Sequence, residues 1–156
     1  MDTTKRYKAV FFDLGGTLRI ALLEEPWMRH ARRKMAEIAG SPVPYEEFYQ
    51  MIEERYEPYR KWAIGENKES GDEELWCKWL LPDYDQARIK QVCHELSFQY
   101  RQCKGRRIVV DGGVEVIKGL HERGYKLGII SNLIGENEVP DWLEEDGLAE
   151  YFDAVI

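Results

Sequence analysis

Short apolar runs and longer amphipathic segments alternate along most of the chain. Tyr7–Phe12 is apolar and rich in aromatic and β-branched residues, and it stops at Asp13, which predicts a buried strand followed by a loop. Similar short runs recur at Arg107–Val110, Tyr125–Ile130 and Tyr151–Ile156, and the residues between them have the spacing of amphipathic helices. This alternation predicts a parallel sheet with helices on both of its faces.

The segment between the first and second runs differs, because its apolar residues recur at helical spacing throughout. Further stripes of this kind follow up to about residue 104, separated by connectors that contain proline or glycine. We therefore expect an α/β core formed by residues 1–19 and 105–156, with an all-helical segment inserted at residues 20–104. The first helical stripe consists of Trp27, Met28, Ala31, Met35 and Ile38.

The composition is that of a soluble globular domain. Hydrophobic residues make up 44% of the 156 residues and charged residues 33%, which is enough for a core at this length. The formal net charge of -7 argues against nucleic acid or an anionic membrane as a partner, because both favour basic surfaces. A small phosphorylated ligand stays compatible with this charge, since backbone N–H groups and one metal ion can hold a phosphate locally.

Targeting and redox features favour the cytoplasm. Asp13 interrupts the first apolar run too early for a signal peptide, and no apolar stretch reaches the roughly 18 residues of a membrane span. The three cysteines (Cys77, Cys93 and Cys103) are odd in number and form no CxxC pair, which disfavours a disulfide framework or a zinc site. We expect a cytoplasmic protein with reduced thiols.

Polar residues of catalytic type follow two of the predicted strands. Asp13 lies in the sequence FFDLGGTL, and Ser131-Asn132 follows the strand that ends at Ile130. Taken alone, Asp13 is explained by a surface turn and Ser131 by a helix cap. Taken together, the two segments are predicted to line one ligand-binding crevice, because ligands bind at the carboxyl ends of parallel strands. A carboxylate, a hydroxyl, an amide and glycine-rich backbone predict a site for phosphate transfer. The acids at 144–146 are expected on a solvated helix face.

These residues resemble the motifs of a known family. FFDLGGTL resembles the first motif of the haloacid dehalogenase-like (HAD) hydrolases, hhhhDxDGT followed by Leu or Val, and GIISN at 128–132 resembles their second motif. The stretches Gly112–Gly128 and GLAEYFDAVI look like the segments that flank the second motif. The resemblance covers nearly the whole chain, and it implies a Rossmann-like core with the helical segment inserted as a cap.

The resemblance also implies a mechanism. Asp13 would be the nucleophile that attacks phosphorus and forms an aspartyl-phosphate, with a small phosphorylated metabolite as substrate. Mg²⁺ would be bound by the Asp13 carboxylate and the Gly15 backbone carbonyl. The phosphoryl group would be held by Gly16, Thr17, Ser131 and Asn132.

Two departures from the family pattern change this expectation. Gly15 stands where phosphatases of the family have the aspartate that serves as general acid and base, a role that contributes about 10²–10⁴-fold in rate. The sequence also ends at Ile156, before the family's third and fourth motifs, which supply a lysine and acidic metal ligands. We expect that the natural polypeptide continues and that these 156 residues alone have little or no activity.

Two alternatives remain open at the level of sequence. One is hydrolysis of a carbon–halogen bond, as in the dehalogenases of the same superfamily, which also lack the second aspartate and work without metal. The other is a non-catalytic protein that keeps the fold for binding or regulation. Gly15 favours the second alternative, whereas the intact Asp13, Thr17 and Ser131-Asn132 argue against it.

Overall fold

A computed structural model describes residues 7–132 and 138–156 of the chain. The first six residues of the expected core lie outside this part of the chain. The described residues form two compact units: a sheet unit, which runs up to Leu22 and resumes at Arg107, and a helical unit, Leu23–Arg106. In chain order the elements are β1 (Ala9–Phe12), β2 (Arg19–Leu22), α1 (Glu25–Ala39), α2 (Tyr45–Glu66), α3 (Asp72–Glu74), a π-helical segment (Leu75–Leu80), α4 (Gln86–Gln102), β3 (Arg106–Val109), α5 (Gly113–Glu122), β4 (Lys126–Ile129), α6 (Glu138–Glu145), a 3₁₀ turn (Ala149–Tyr151) and β5 (Ala154–Val155).

The sheet unit contains a three-stranded parallel sheet in the order β1-β4-β5. Phe12 of β1 pairs with Ile129 of β4, and Ile129 in turn pairs with Val155 of β5. The predicted fold class, an α/β protein with a parallel sheet and flanking helices, is therefore confirmed.

Among the described residues, helices cover one face of this sheet. Ile117 of α5 and Trp142 of α6 belong to the same hydrophobic cluster as Ile129. On the opposite face Phe11 is 51% exposed, and so is Ile130 just beyond β4. The sequence pattern predicted cover on both faces. The difference follows from the strand order, which runs in one direction from β1 to β5, so that right-handed connections place α5 and α6 on the same side.

A second, two-stranded sheet is formed by β2 and β3. Residues 20–22, which the sequence predicted as the start of the helical segment, are the last three residues of β2. Next to this pairing, the N–H of Val110 donates a hydrogen bond to the carbonyl oxygen of Leu18 at 2.9 Å. The extended conformation of so short a segment depends on its pairing with β3. Four residues show too little periodicity to be recognised as a strand from the sequence.

The helical unit packs around a single hydrophobic cluster. α1 ends at Gly40, whose φ of 70° is the left-handed conformation that suits glycine at a helix C-terminus. α4 begins after Asp85, whose carboxylate accepts hydrogen bonds from the N–H groups of Ala87 and Arg88. None of the helices described in either unit combines the length and the apolar character that crossing a membrane requires. The largest fully buried side chains of the helical unit are Trp76, Tyr100, Phe48, Met35 and Ile52.

Candidate active site

The loop that follows β1 is closed by its own backbone. The N–H of Arg19 donates to the carbonyl oxygen of Leu14 at 2.9 Å, and the N–H of Gly16 donates to the carbonyl oxygen of Arg19 at 2.8 Å. Gly16 has a φ of 78°, a conformation that glycine adopts without steric cost. The chain therefore leaves β1 and turns back at once into β2, with Asp13 at the start of the turn.

Asp13 is exposed and partly oriented. It is the first residue after β1, and the Thr17 hydroxyl donates a hydrogen bond to its Oδ2 at 3.3 Å. Within the described parts of the chain, the other carboxylate oxygen accepts no hydrogen bond. An exposed carboxylate that is held through one oxygen leaves its second oxygen available as a nucleophile or as a metal ligand.

The loop N–H groups are distributed differently from the sequence-based expectation. The resemblance assigned the phosphoryl group to the loop at Gly16 and Thr17, yet the Gly16 N–H is engaged with Arg19 and the Thr17 N–H donates to Leu14 at 3.3 Å. In residues 7–132 and 138–156, the N–H groups of Leu14 and Gly15 donate no hydrogen bond. Both N–H groups directly follow the Asp13 carboxylate in the chain and are candidate donors to an anion. Sequence reasoning missed them because every residue carries an N–H and only the path of the chain decides which are free.

The register of the sheet brings the second predicted segment beside the first. Phe12 pairs with Ile129, and the N–H of Ile130 donates to the Phe12 carbonyl oxygen at 2.9 Å. Asp13 and Ser131 therefore leave two neighbouring strands, which lie about 4.8 Å apart, at the same edge of the sheet. The backbone N–H of Ser131 donates to the carbonyl oxygen of Ile156 at 3.1 Å, so its hydroxyl remains the group able to meet a ligand.

Asn132 completes the second segment. It is exposed and is the last described residue before residue 138. Its position next to Ser131 puts it at the same edge of the sheet, although among the described residues its side chain makes no hydrogen bond to the Asp13 loop.

The oxygen atoms around Asp13 fit a hard divalent cation only in part. The two hydrogen bonds that close the loop use the groups on either side of Gly15, so the Gly15 carbonyl oxygen takes part in neither. A carboxylate and a carbonyl are ligands of the kind that Mg²⁺ takes, with phosphate and water as the others. Among the described residues, no cluster of three or more acidic, histidine or cysteine side chains is present that could bind a metal by itself.

One partly buried ion pair was not anticipated from the sequence. Arg19 is 5% exposed, and its guanidinium forms an ion pair with Asp146 and lies 4.7 Å from the centre of the Trp142 ring. Asp146 was expected on a solvated helix face, and this expectation was wrong for Asp146. Burial lowers the pKa of Arg19 and raises the pKa of Asp146, although each charge opposes the shift of the other. The sequence feature that could have indicated a buried arginine was its position directly before the apolar residues of β2.

The fold and the loop together define an α/β protein with its candidate site at the carboxyl edge of a parallel sheet. A sequence model of the haloacid dehalogenase-like hydrolases matches residues 7–156, and the chain therefore belongs to this family of hydrolases. No curated protein matches the chain.

One solved structure with a TM-score above 0.5 agrees with this fold. A protein from Haemophilus somnus 129PT, described as a predicted phosphoglycolate phosphatase, is 16% identical with a TM-score of 0.51, and the match covers 98% of this chain and 63% of that one. A HAD phosphatase from Thermococcus onnurineus is 22% identical with a TM-score of 0.45, covering 96% of this chain and 61% of that one. The chain thus spans less than two thirds of the length of these two proteins.

Proposed function

We propose that the chain acts on phosphate monoesters through a covalent aspartyl-phosphate on Asp13. The observation that carries this proposal is the sheet register, in which the exposed Asp13 and the Ser131 segment end neighbouring strands at one edge. Membership in the HAD hydrolases and the description of the Haemophilus somnus protein as a predicted phosphoglycolate phosphatase support the reaction class. The substrate class would be a small phosphorylated metabolite, in keeping with the net charge of -7, which disfavours nucleic acid.

The first step transfers the phosphoryl group to Asp13. The free oxygen of the carboxylate attacks phosphorus, the bond from phosphorus to the ester oxygen breaks, and the leaving alkoxide takes a proton from water. The Thr17 hydroxyl holds the other carboxylate oxygen, at 3.3 Å, and so keeps the nucleophile oriented. The N–H groups of Leu14 and Gly15 and the Ser131 hydroxyl are the donors that would meet the phosphoryl oxygens.

The second step returns Asp13 to its starting form. Water attacks phosphorus, the bond between phosphorus and the Asp13 carboxylate oxygen breaks, and inorganic phosphate and the aspartate carboxylate are released with one proton. A base that takes a proton from this water speeds such a step by about 10²–10⁴-fold. Gly15 provides no side chain for this role. With a substrate whose leaving group needs no protonation, we therefore expect the aspartyl-phosphate to form faster than it breaks down and to accumulate.

Mg²⁺ is the cofactor that this site would use. The Asp13 carboxylate and the Gly15 carbonyl oxygen would hold it, and it would supply positive charge between the carboxylate and the phosphate. The helical unit, Leu23–Arg106, would be the cap that selects the substrate. A cytoplasmic location fits the three described cysteines, which are all free thiols.

The experiment that tests the proposal measures phosphoryl transfer to the protein. The chain is incubated with Mg²⁺ and acetyl phosphate, whose leaving group needs no protonation, and the product is analysed by intact mass and by peptide mapping. We expect one added phosphoryl group, on the peptide that contains Asp13, and none in Asp13→Asn or when the metal is removed by chelation. Since no second turnover is needed, weak hydrolysis by the 156-residue chain would not hide the result.

Asp111 offers a matched control for this experiment. It is also an exposed acid after a short strand and is also followed by a pair of glycines, Gly112-Gly113. The variant Asp111→Asn should be phosphorylated as readily as the unchanged chain. Phosphorylation that persists in Asp13→Asn, or none in the unchanged chain, would contradict the proposal and favour a non-catalytic binding role. Release of halide from a 2-haloacid without added metal would instead support the dehalogenase alternative.

A further inference from the structure

Arg19 joins three parts of the sheet unit through one side chain. One guanidinium nitrogen forms the ion pair with Asp146, and the other donates a hydrogen bond to the carbonyl oxygen of Arg107 at 2.7 Å. The guanidinium carbon lies over the Trp142 ring, 4.7 Å from the ring centre. Arg19 itself lies in β2, and these contacts join it to β3 and to the C-terminal end of α6, which Asp146 directly follows.

The backbone of Arg19 is part of the Asp13 loop. Its N–H and its carbonyl oxygen make the hydrogen bonds of 2.9 Å and 2.8 Å, to Leu14 and Gly16, that close the loop. The residue therefore cannot shift without moving the groups that flank Gly15. A side chain fixed at its far end holds the loop in one position, and the loop in turn fixes where the Asp13 carboxylate points.

The far end of the side chain is well fixed. Arg19 is 5% exposed, and the cavity beside it, which Leu14, Trp142 and Asp146 also line, has a volume of only about 10 Å³. If the guanidinium moved away from Asp146 and the Arg107 carbonyl, its charge and its N–H groups would be left buried and unpaired. The side chain is therefore held in this one position.

We propose that Arg19 is a positioning residue for the reaction at Asp13: it locks the loop that carries the nucleophile onto the end of α6, the helix that follows the Ser131-Asn132 segment in the chain. The effect of Arg19 on the reaction rests on the proposed function. Its effect on the position of the loop rests on the loop geometry alone. Arg19 does not contact the substrate. It acts through Leu14, Gly16 and the backbone between them.

The chain contains a matched control for this arrangement. Arg55 of α2 also pairs with a carboxylate, at 2.5 Å and 3.0 Å to Asp83, and also donates to a backbone carbonyl, that of Leu80, at 2.8 Å. This pair lies entirely within the helical unit, and the hydrogen bonds of Arg55 described above go to Leu80 and Asp83, not to the loop backbone. Replacing Arg55 removes the same kinds of contact without touching the loop.

The test compares Arg19→Met, Arg19→Lys and Asp146→Asn with Arg55→Met. The rate of phosphoryl transfer from acetyl phosphate to Asp13 is measured over a range of acetyl phosphate concentrations, at temperatures where each variant is fully folded by circular dichroism. We expect Arg19→Met to lower the maximal rate by about 10²-fold, as a displaced nucleophile does, with little change in the concentration for half-maximal rate. Arg19→Lys and Asp146→Asn should retain an intermediate rate, and Arg55→Met should keep the full rate. Equal maximal rates in Arg19→Met and Arg55→Met would overturn the proposal.

A second measurement decides the case if Asp13 is not phosphorylated at all. Amide hydrogen exchange at Gly16 and Arg19 reports the two loop-closing hydrogen bonds directly and requires no activity. We expect both amides to exchange faster in Arg19→Met and in Asp146→Asn, and to be unchanged in Arg55→Met. In that outcome the proposed function fails and the positioning role stands. Unchanged exchange at both amides in the two loop variants would overturn the positioning role itself.

Discussion

At the scale of single residues, the two adjacent glycines of the Asp13 loop have different reasons to be glycine. Gly16 has a φ of 78°, so a side chain there would strain the turn. Gly15 is not in that conformation, and a Cβ built on it would meet nothing within 4 Å. The turn therefore requires Gly16 only, and position 15 has space for a side chain that the chain does not supply.

We predict that Gly15→Asp speeds the breakdown of the aspartyl-phosphate. A carboxylate at this position could take the proton of the attacking water, a role that contributes about 10²–10⁴-fold. The measurement is the loss of the phosphoryl group, followed by intact mass after excess acetyl phosphate is removed. Gly15→Asn is the control, because it has the same size and accepts no proton. If both variants lose phosphate at the same rate, the missing base is not what limits this step.

The thiol of Cys103 should be unreactive in the folded chain. Cys103 is 2% exposed, and burial raises its pKa to about 12, so the thiolate fraction at about pH 8 is far below that of an ordinary cysteine of pKa about 8.5. Cys77 is half-buried, and burial also raises its pKa. With iodoacetamide and peptide mapping we expect Cys77 to be alkylated first and Cys103 only after unfolding in urea. Equal rates for the two thiols in the folded chain would show that Cys103 is accessible.

At the scale of elements, the pairing of β1 with β4 explains a glycine that the sequence left unexplained. Gly128 lies opposite Phe11 in the parallel register. A Cβ on Gly128 would come within 2.4 Å of a carbon atom of the Phe11 ring, so the ring occupies the space that a side chain would need. Glycine in the middle of a strand often marks such a close approach. Here it lets an aromatic ring from β1 lie across β4.

We predict that Gly128→Ala lowers the free energy of unfolding by about 1–3 kcal/mol, the usual cost of an added methyl group in a filled space. Phe11 is 51% exposed and its ring can turn away, which places the expectation at the lower end of that range. The cost should vanish in a chain that already carries Phe11→Ala, since the space is then open. Urea denaturation of the unchanged chain, Gly128→Ala, Phe11→Ala and the double variant gives the coupling free energy between the two positions. If Gly128→Ala costs as much without the ring as with it, the contact is not the cause.

At the scale of the whole molecule, each unit has its own hydrophobic core. The cluster of the helical unit contains Trp76, Leu96 and Tyr100, and the cluster of the sheet unit contains Ile117 and Ile129. The two clusters share no residue. Separate cores are the physical basis on which parts of a chain open independently of one another.

This separation predicts that a cavity in one core weakens that unit alone. Leu96 is 0% exposed and Ile117 is 1% exposed, and truncation of such a side chain to alanine costs about 2–5 kcal/mol. Leu96→Ala should speed amide exchange in α4 and leave the β4 amides unchanged, whereas Ile117→Ala should do the reverse. The two variants serve as controls for each other. Loss of protection in both units from either variant would mean that they unfold as one.

Much of the fold is determined by signals that the sequence carries locally. Apolar runs that stop at Asp13 and Ile130, and helical periodicity between residues 20 and 104, depend only on neighbouring residues, so they predict a parallel sheet and a long helical insertion. The residue types of the candidate site are local in the same sense. An acid before a glycine pair and a serine after a strand predict a phosphate site once both are assumed to end neighbouring strands.

The remaining features were decided by contacts between residues far apart in the chain. In the part of the chain that the structure describes, the strand order places helices on one face of the sheet only, because the hand of each connection is a property of the whole path. The pairing of Arg19 with Asp146 and the engagement of the Gly16 N–H by the Arg19 carbonyl depend on how the loop folds back against α6 and β3. A charged residue and an N–H look the same in a sequence whether they are free or paired, and only the tertiary structure gives them their partners.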